Sequence, residues 1–166
     1  FNPQNIANTL LALSQMGFNK TCVSQEIRIK LLKSVESNTR KFNPQNIANT
    51  LTALNQMGFN KINLLAEITT KLLDSVNKKA GQFNPQEIAN TLLALNQMGF
   101  NKINLPAEIT TKLLDSVNKN AGKFNSQGIA NTLLALNQMG FNKINLLAEI
   151  TTKLLDSVNK NAGKFN

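Results

Sequence analysis

The residues FNPQNIANTLTALNQMG, at positions 42–58, recur along the chain at a fixed interval. The opening Phe-Asn pair starts every 41 residues, at Phe1, Phe42, Phe83, Phe124 and Phe165. Such a period is typical of a tandem repeat whose units bury their apolar faces against one another. The sequence therefore predicts a single domain, 1–164, made of units 1–41, 42–82, 83–123 and 124–164, with residues 165–166 starting a further repeat.

Each unit is predicted to contain two helices. In the second unit Asn43 is suited to the N-cap of the first helix, and Pro44 to its first helical position. Gly58 is suited to a left-handed residue after the helix. A second helix is predicted at about residues 65–78. In the third unit Pro106 stands at the start of that helix, and we expect it in the first turn.

The two helices differ in their polar faces. The first is apolar around most of its circumference, which predicts burial on several sides. The second has one apolar side and one charged side, on which two acid-before-base pairs are predicted to be ion pairs: Glu67 with Lys71, and Asp74 with Lys78. We therefore expect an all-α fold, a right-handed α-solenoid of four helix–turn–helix repeats, with the first helices lining its concave side.

The polar stripe of the first helices consists of amides, which we call the amide ribbon. Its members are Gln4, Gln45, Gln86, Gln127, Asn8, Asn49, Asn90, Asn131, Gln15, Gln56, Gln97 and Gln138. Amides offer both a donor and an acceptor, which is the chemistry that recognises the edges of nucleic acid bases. The same chemistry would also suit a buried amide row that holds repeats in register. The sequence leaves both interpretations of the Asn8 column open.

The fifth residue of each unit, here called column five, varies most among the near-identical units. It is Asn5, Asn46, Glu87 and Gly128 in turn. One hypothesis is that this column selects the ligand, since Asn pairs with adenine and Glu accepts from cytosine. The alternative is helix capping, because Glu87 falls at the third helical position. Drift after duplication is a further alternative.

The charge balance favours an acidic partner. The chain has eighteen Lys and Arg residues and nine Asp and Glu residues, which gives a net charge of +9. Two lysine rows are predicted to contact phosphates: Lys20, Lys61, Lys102 and Lys143 in the connection between the two helices, and Lys41, Lys123 and Lys164 at the junction between units. A solvated lysine row that only aids solubility is the alternative.

The composition argues against catalysis. The chain has no His and a single Cys, Cys22, and its Asp and Glu residues recur at outer-face helical spacing. We therefore expect no enzyme activity, no cofactor and no bound metal. No apolar run approaches the ~20 residues that span a bilayer, so no membrane association is expected.

The first half of each unit resembles the octotricopeptide repeat. The shared pattern in the second unit comprises Phe42, Pro44, Gln45, Ala48, Asn49, Leu51, Ala53, Leu54 and Gly58. Similar helical repeats occur in RNA-binding organellar proteins with a RAP domain and in SKWP-type bacterial effectors. The resemblance implies an α-solenoid that binds single-stranded RNA with about one repeat per nucleotide.

The leading expectation is therefore sequence-selective binding of single-stranded RNA by the concave surface of the first helices. The alternative is a protein-interaction solenoid, such as a bacterial effector module, and a structural spacer is a third class. The localisation stays open between intracellular, secreted into a host cell, and organellar. Uncapped ends also predict end-to-end self-association.

Overall fold

The computed structural model describes residues 2–142, 146 and 148–164, and all regular elements in this part of the chain are helical. The first helices of the units are α1 (Pro3–Gln15), α3 (Pro44–Gln56), α5 (Pro85–Gln97) and α7 (Ser126–Gln138). The second helices are α2 (Gln25–Asn38), α4 (Ala66–Lys79), α6 (Ala107–Asn120) and α8 (Ala148–Asn161). Short 3₁₀ turns join the units at Thr39–Lys41, Ala80–Gln82 and Ala121–Lys123, and a fourth covers Ala162–Lys164.

The predicted helix ends of the repeat are confirmed. The side chain of Asn43 accepts a hydrogen bond from the backbone N–H of Asn46, and Pro44 opens the helix. Gly58 has φ +85°, a conformation that a residue without Cβ adopts without strain. The expectation for Pro106 is wrong by one position: it is the N-cap residue, and α6 begins at Ala107.

The helices form two layers, as an α-solenoid requires. Each first helix packs on the first helix of the next unit, and each second helix packs on the next second helix. The two Phe columns lie in the core: Phe42, Phe83, Phe124, Phe59, Phe100 and Phe141 are all buried. In the first unit, Phe18 and Met16 are 39% and 72% exposed. The fold is thus the predicted all-α solenoid.

Backbone and hydroxyl hydrogen bonds join consecutive units at both ends of the first helices. At one end, the N–H of Lys61 donates to the carbonyl of Met98 at 3.0 Å, and Lys20 and Lys102 do the same for the units that follow them. At the other, the buried Ser116 hydroxyl donates to the carbonyl of Ala80 at 2.6 Å. These bonds fix the register between units.

Ion pairs lie on the second helices, and one of the two predicted pairs is present. Lys71 pairs with Glu67 at 3.0 Å, as predicted, but no ion pair joins Asp74 to Lys78. Lys71 also reaches Glu36 of the preceding unit, at 2.6 Å. The hydrogen bond from Lys71 lowers the pKa of Glu36, and hydrogen bonds to Glu36 and Glu67 raise the pKa of Lys71.

Candidate nucleic-acid interface

The amide ribbon lies at the surface of the first-helix layer. Gln45, Gln86 and Gln127 are exposed, and the Asn8 column runs from exposed in the first unit to half-buried in the others. The Asn8 column is therefore not a buried amide row. Its side chains remain on the face where a ligand would lie.

Amide bonds between units do occur, and their acceptors are members of the amide ribbon, whereas the donating Asn55 column was not singled out by the sequence. The Nδ2 of Asn55 donates to the Oε1 of Gln97 at 2.6 Å, and Asn96 donates to Gln138 at 2.5 Å. The partners are 42 residues apart, one more than the repeat, because donor and acceptor belong to neighbouring columns of consecutive units. The repeat period alone does not indicate which columns meet, so only the packed structure reveals these pairs.

Column five lies where neighbouring first helices meet. The side chain of Asn46 is 2% exposed, and its Nδ2 donates to the Oε1 of Gln4 in the preceding unit at 2.9 Å. The carboxylate of Glu87 instead accepts from the backbone N–H of Asn84 at 2.8 Å, so the capping geometry is present in the third unit. Gly128 has no side chain at this place, and Asn5 of the first unit is exposed.

The lysine column of the helix connection packs on the next unit. A Cβ placed on Gly99 would lie 3.3 Å from the Cε of Lys61, and the stem of Lys102 lies over Gly140 in the same way. This position is the C-terminal end of a first helix, where a cation is favoured by the helix dipole. Lys20, Lys61 and Lys102 make no ion pair, whereas Lys143 lies outside the described residues.

An open cleft of about 370 Å³ lies between α5 and α7, at the N-terminal ends of these helices. Four members of the amide ribbon line it, together with the lysine that precedes the fourth unit: Gln86, Asn90, Gln127, Asn131 and Lys123. No carboxylate lines the cleft, since the nearby Glu87 is turned back onto its own N-cap. The site therefore combines amide donors and acceptors with one cation.

The family comparison supports the repeat architecture. The family described as "Protein of unknown function (DUF1601)" matches residues 1–10, 24–51, 67–92, 106–133 and 149–166, about two thirds of the chain. The chain belongs to this family. Each internal DUF1601 segment begins at or near the second helix of one unit and ends within the first helix of the next. The family model therefore describes the same repeat with a different starting residue. No curated protein matches the chain.

The DUF1601 chain also exposes apolar side chains in its helix connections. Ile62 and Ile103 are each 86% exposed and follow Lys61 and Lys102 directly. The connection is held by paired Asn side chains, since Asn60 accepts from the N–H of Ile62 at 2.9 Å. This edge is apolar and basic, and the sequence analysis singled out its lysines but not its isoleucines.

The described residues offer neither a membrane span nor a metal site. No described helix is long and apolar enough to cross a membrane. No cluster of His, Cys, Asp and Glu side chains suited to a metal ion occurs in the described ranges. Cys22 is exposed and forms no disulfide.

Proposed function

We propose that the chain binds single-stranded RNA along the amide ribbon, with about one repeat per nucleotide and without enzyme activity. The observation that carries the proposal is the exposure of aligned amides beside a cleft that contains a lysine and no carboxylate. Base edges are recognised by such paired donors and acceptors. Helical repeats that each recognise one base provide a precedent for this arrangement.

The bound strand would be extended. Neighbouring packed helices lie ~8–10 Å apart, much farther than stacked bases, so each base must leave its stack to meet one unit. The described first helices carry no exposed aromatic ring on which a base could stack. Recognition would therefore come from amide hydrogen bonds and backbone charge. We expect poly(U), which stacks weakly, to bind more tightly than poly(A).

Salt dependence tests the charge part of the proposal. Fluorescence anisotropy with a labelled random single-stranded RNA is measured between about 50 and 200 mM salt. Lys123→Gln should reduce the slope of log K against log salt by about 0.7, the value for one lost phosphate contact on a single strand. Lys119→Gln removes the same charge from the outer helix α6 and should leave the slope unchanged. Equal slopes for the parent and both variants would contradict a phosphate contact by Lys123.

A protein-interaction solenoid is the second candidate, and the exposed isoleucines of the helix connections favour it. Rigidly held apolar side chains at the surface are a common feature of protein-binding sites. The double variant Ile62→Ser with Ile103→Ser separates the two functions. RNA binding by the amide ribbon predicts unchanged RNA affinity in this variant. A protein partner that docks on the edge would lose affinity instead.

A further inference from the structure

Column five controls the space between neighbouring first helices. Between α1 and α3, the Asn46 side chain occupies this space and is held from both sides. Its Nδ2 donates to Gln4 at 2.9 Å, and its Oδ1 accepts from the N–H of Asn43 at 3.3 Å. Asn46 is thereby 2% exposed and engages the Gln4 side chain, a member of the amide ribbon.

The equivalent space between α5 and α7 is open, because Gly128 stands in column five. The cleft of about 370 Å³ has Gly128 in its lining, together with Gln86, the residue equivalent to Gln4. Binding pockets for small molecules begin at about 300 Å³, so the cleft has room for one small planar group. Because column five of the fourth unit is a glycine, it donates no side-chain hydrogen bond to Gln86 of the kind that Asn46 donates to Gln4.

We infer that column five determines which inter-unit clefts admit a nucleobase, and that the α5–α7 cleft admits one. The inference rests on the proposed RNA binding and identifies Gly128 as the residue that lets a base enter the cleft. The size of the column-five side chain then decides how much space remains between neighbouring first helices. Gly128 leaves room for a base, and Asn46 fills that room. This differs from direct pairing of a column-five side chain with a base, for which a glycine would contribute nothing.

Gly128→Asn is the closing variant. A Cβ at Gly128 would lie 3.1 Å from the Oδ1 of Asn125 and 3.1 Å from the Cδ1 of Phe124, so both neighbours must shift slightly. The second unit has the same Phe-Asn pair before Asn46, which shows that the repeat accommodates this residue. The new amide would reach Gln86 as Asn46 reaches Gln4.

Two matched variants accompany it. Asn46→Gly is the reverse change and should open the α1–α3 cleft. Gly81→Asn introduces the same side chain outside the amide ribbon, where a Cβ would meet nothing within 4 Å. The first unit has Arg40 at the equivalent of Gly81, so a side chain is tolerated there. Circular dichroism of each variant verifies that the helical fold is kept.

The experiment has two measurements. The first is the affinity of each variant for a labelled random RNA of about 12 nucleotides, longer than the strand that four repeats would contact at about one base each, by fluorescence anisotropy. The second is an NMR titration of the glycine-labelled protein with AMP, GMP, CMP and UMP. The chain has eight Gly residues, and the signal that vanishes in Gly128→Asn identifies Gly128.

The expected result is a Gly128 signal that shifts with at least one mononucleotide. RNA affinity should fall about tenfold in Gly128→Asn, the usual cost of one lost base contact, rise in Asn46→Gly and stay constant in Gly81→Asn. RNA that binds equally to Gly128→Asn and to the parent would overturn the gating and leave the proposed function standing. A mononucleotide that shifts Gly128 in a protein that binds no RNA would overturn the proposed function and leave the nucleotide cleft. A Gly128 signal that no mononucleotide moves would overturn the cleft assignment.

Discussion

The contact between Gly99 and Lys61 makes a quantitative test of how the units are coupled. Gly99 ends α5 with φ +92°, and a Cβ there would lie 3.3 Å from the Cε and 3.5 Å from the Cδ of Lys61. An L-residue in the left-handed region costs about 1–2 kcal/mol. Gly99→Ala must also displace the lysine stem by a few tenths of an ångström. We expect the variant to be destabilised by about 1–2 kcal/mol.

The matched control is Gly81→Ala, which should have the opposite sign. Gly81 has no positive φ and nothing within 4 Å of the added Cβ. Replacing such a glycine stabilises by about 0.4–1 kcal/mol, because the unfolded chain loses freedom. Urea unfolding followed by circular dichroism measures both, and hydrogen exchange locates the effect, since repeat arrays lose strict two-state behaviour.

A double-mutant cycle with Lys61→Ala isolates the contact between units. If the lysine stem packs on Gly99, removing it should reduce the cost of Gly99→Ala, with a coupling of at least about 0.5 kcal/mol. Additive effects of the two changes would refute the packing of Lys61 on the next unit. Equal effects of Gly99→Ala and Gly81→Ala would refute the argument from backbone conformation.

Three further predictions concern the junctions and ends of the array. Ser116→Ala removes the hydroxyl that donates to the carbonyl of Ala80, at the junction between the second and third units, and should cost about 1 kcal/mol in urea unfolding. Ser34→Ala, whose hydroxyl donates only within α2, should cost less. Equal losses would contradict a role of Ser116 in coupling the units. The lowered pKa of Glu36 contributes stability above the ordinary value of 4.5, and this contribution is lost as the pH falls below it. Glu36→Gln should therefore flatten the loss of thermal stability in acid, and an unchanged acid limb would contradict it. The exposed Met16 at the first unit favours end-to-end self-association of this polypeptide, which Met16→Lys should weaken in analytical ultracentrifugation, and a strictly monomeric parent at high concentration would refute it.

Local signals in the sequence predicted the helices, and the reason is that helix ends are determined locally. An Asn before Pro-Gln satisfies the first free N–H groups, and a Gly with positive φ ends the helix within one turn. Each feature acts within four residues of itself. The start of α3 therefore agreed with the expectation, its end at Gln56 fell one residue before the predicted Met57, and α4 began one residue later than predicted, at Ala66.

The contacts between units were harder to predict, because they depend on how the side chains of one helix pack against those of the next. The bond from Asn55 to Gln97 joins residues 42 apart, which the 41-residue period does not indicate. The predicted pair of Asp74 with Lys78 shows the reverse case. Four-residue spacing on an exposed helix is worth only ~0.2–0.5 kcal/mol. Glu67 and Lys71 pair at this spacing on the same helix, so the spacing alone does not decide which pairs form.

The candidate site was predictable in part. The amide columns follow from helical periodicity, and their exposure agrees with the polar stripe that the sequence shows. The cleft at Gly128 was not predictable, because an absent side chain leaves space only when the neighbouring helices are placed around it. The packing of Lys61 on Gly99 was equally hidden, since the two residues belong to different units.

Selection from a random RNA pool tests the central claim most directly. The parent and the Gly128→Asn variant are each immobilised and challenged with the pool at moderate salt, and the bound RNA is sequenced. The account predicts an enriched single-stranded motif for the parent and loss of one selected position in the variant. A parent protein that enriches no motif would contradict RNA recognition by the amide ribbon.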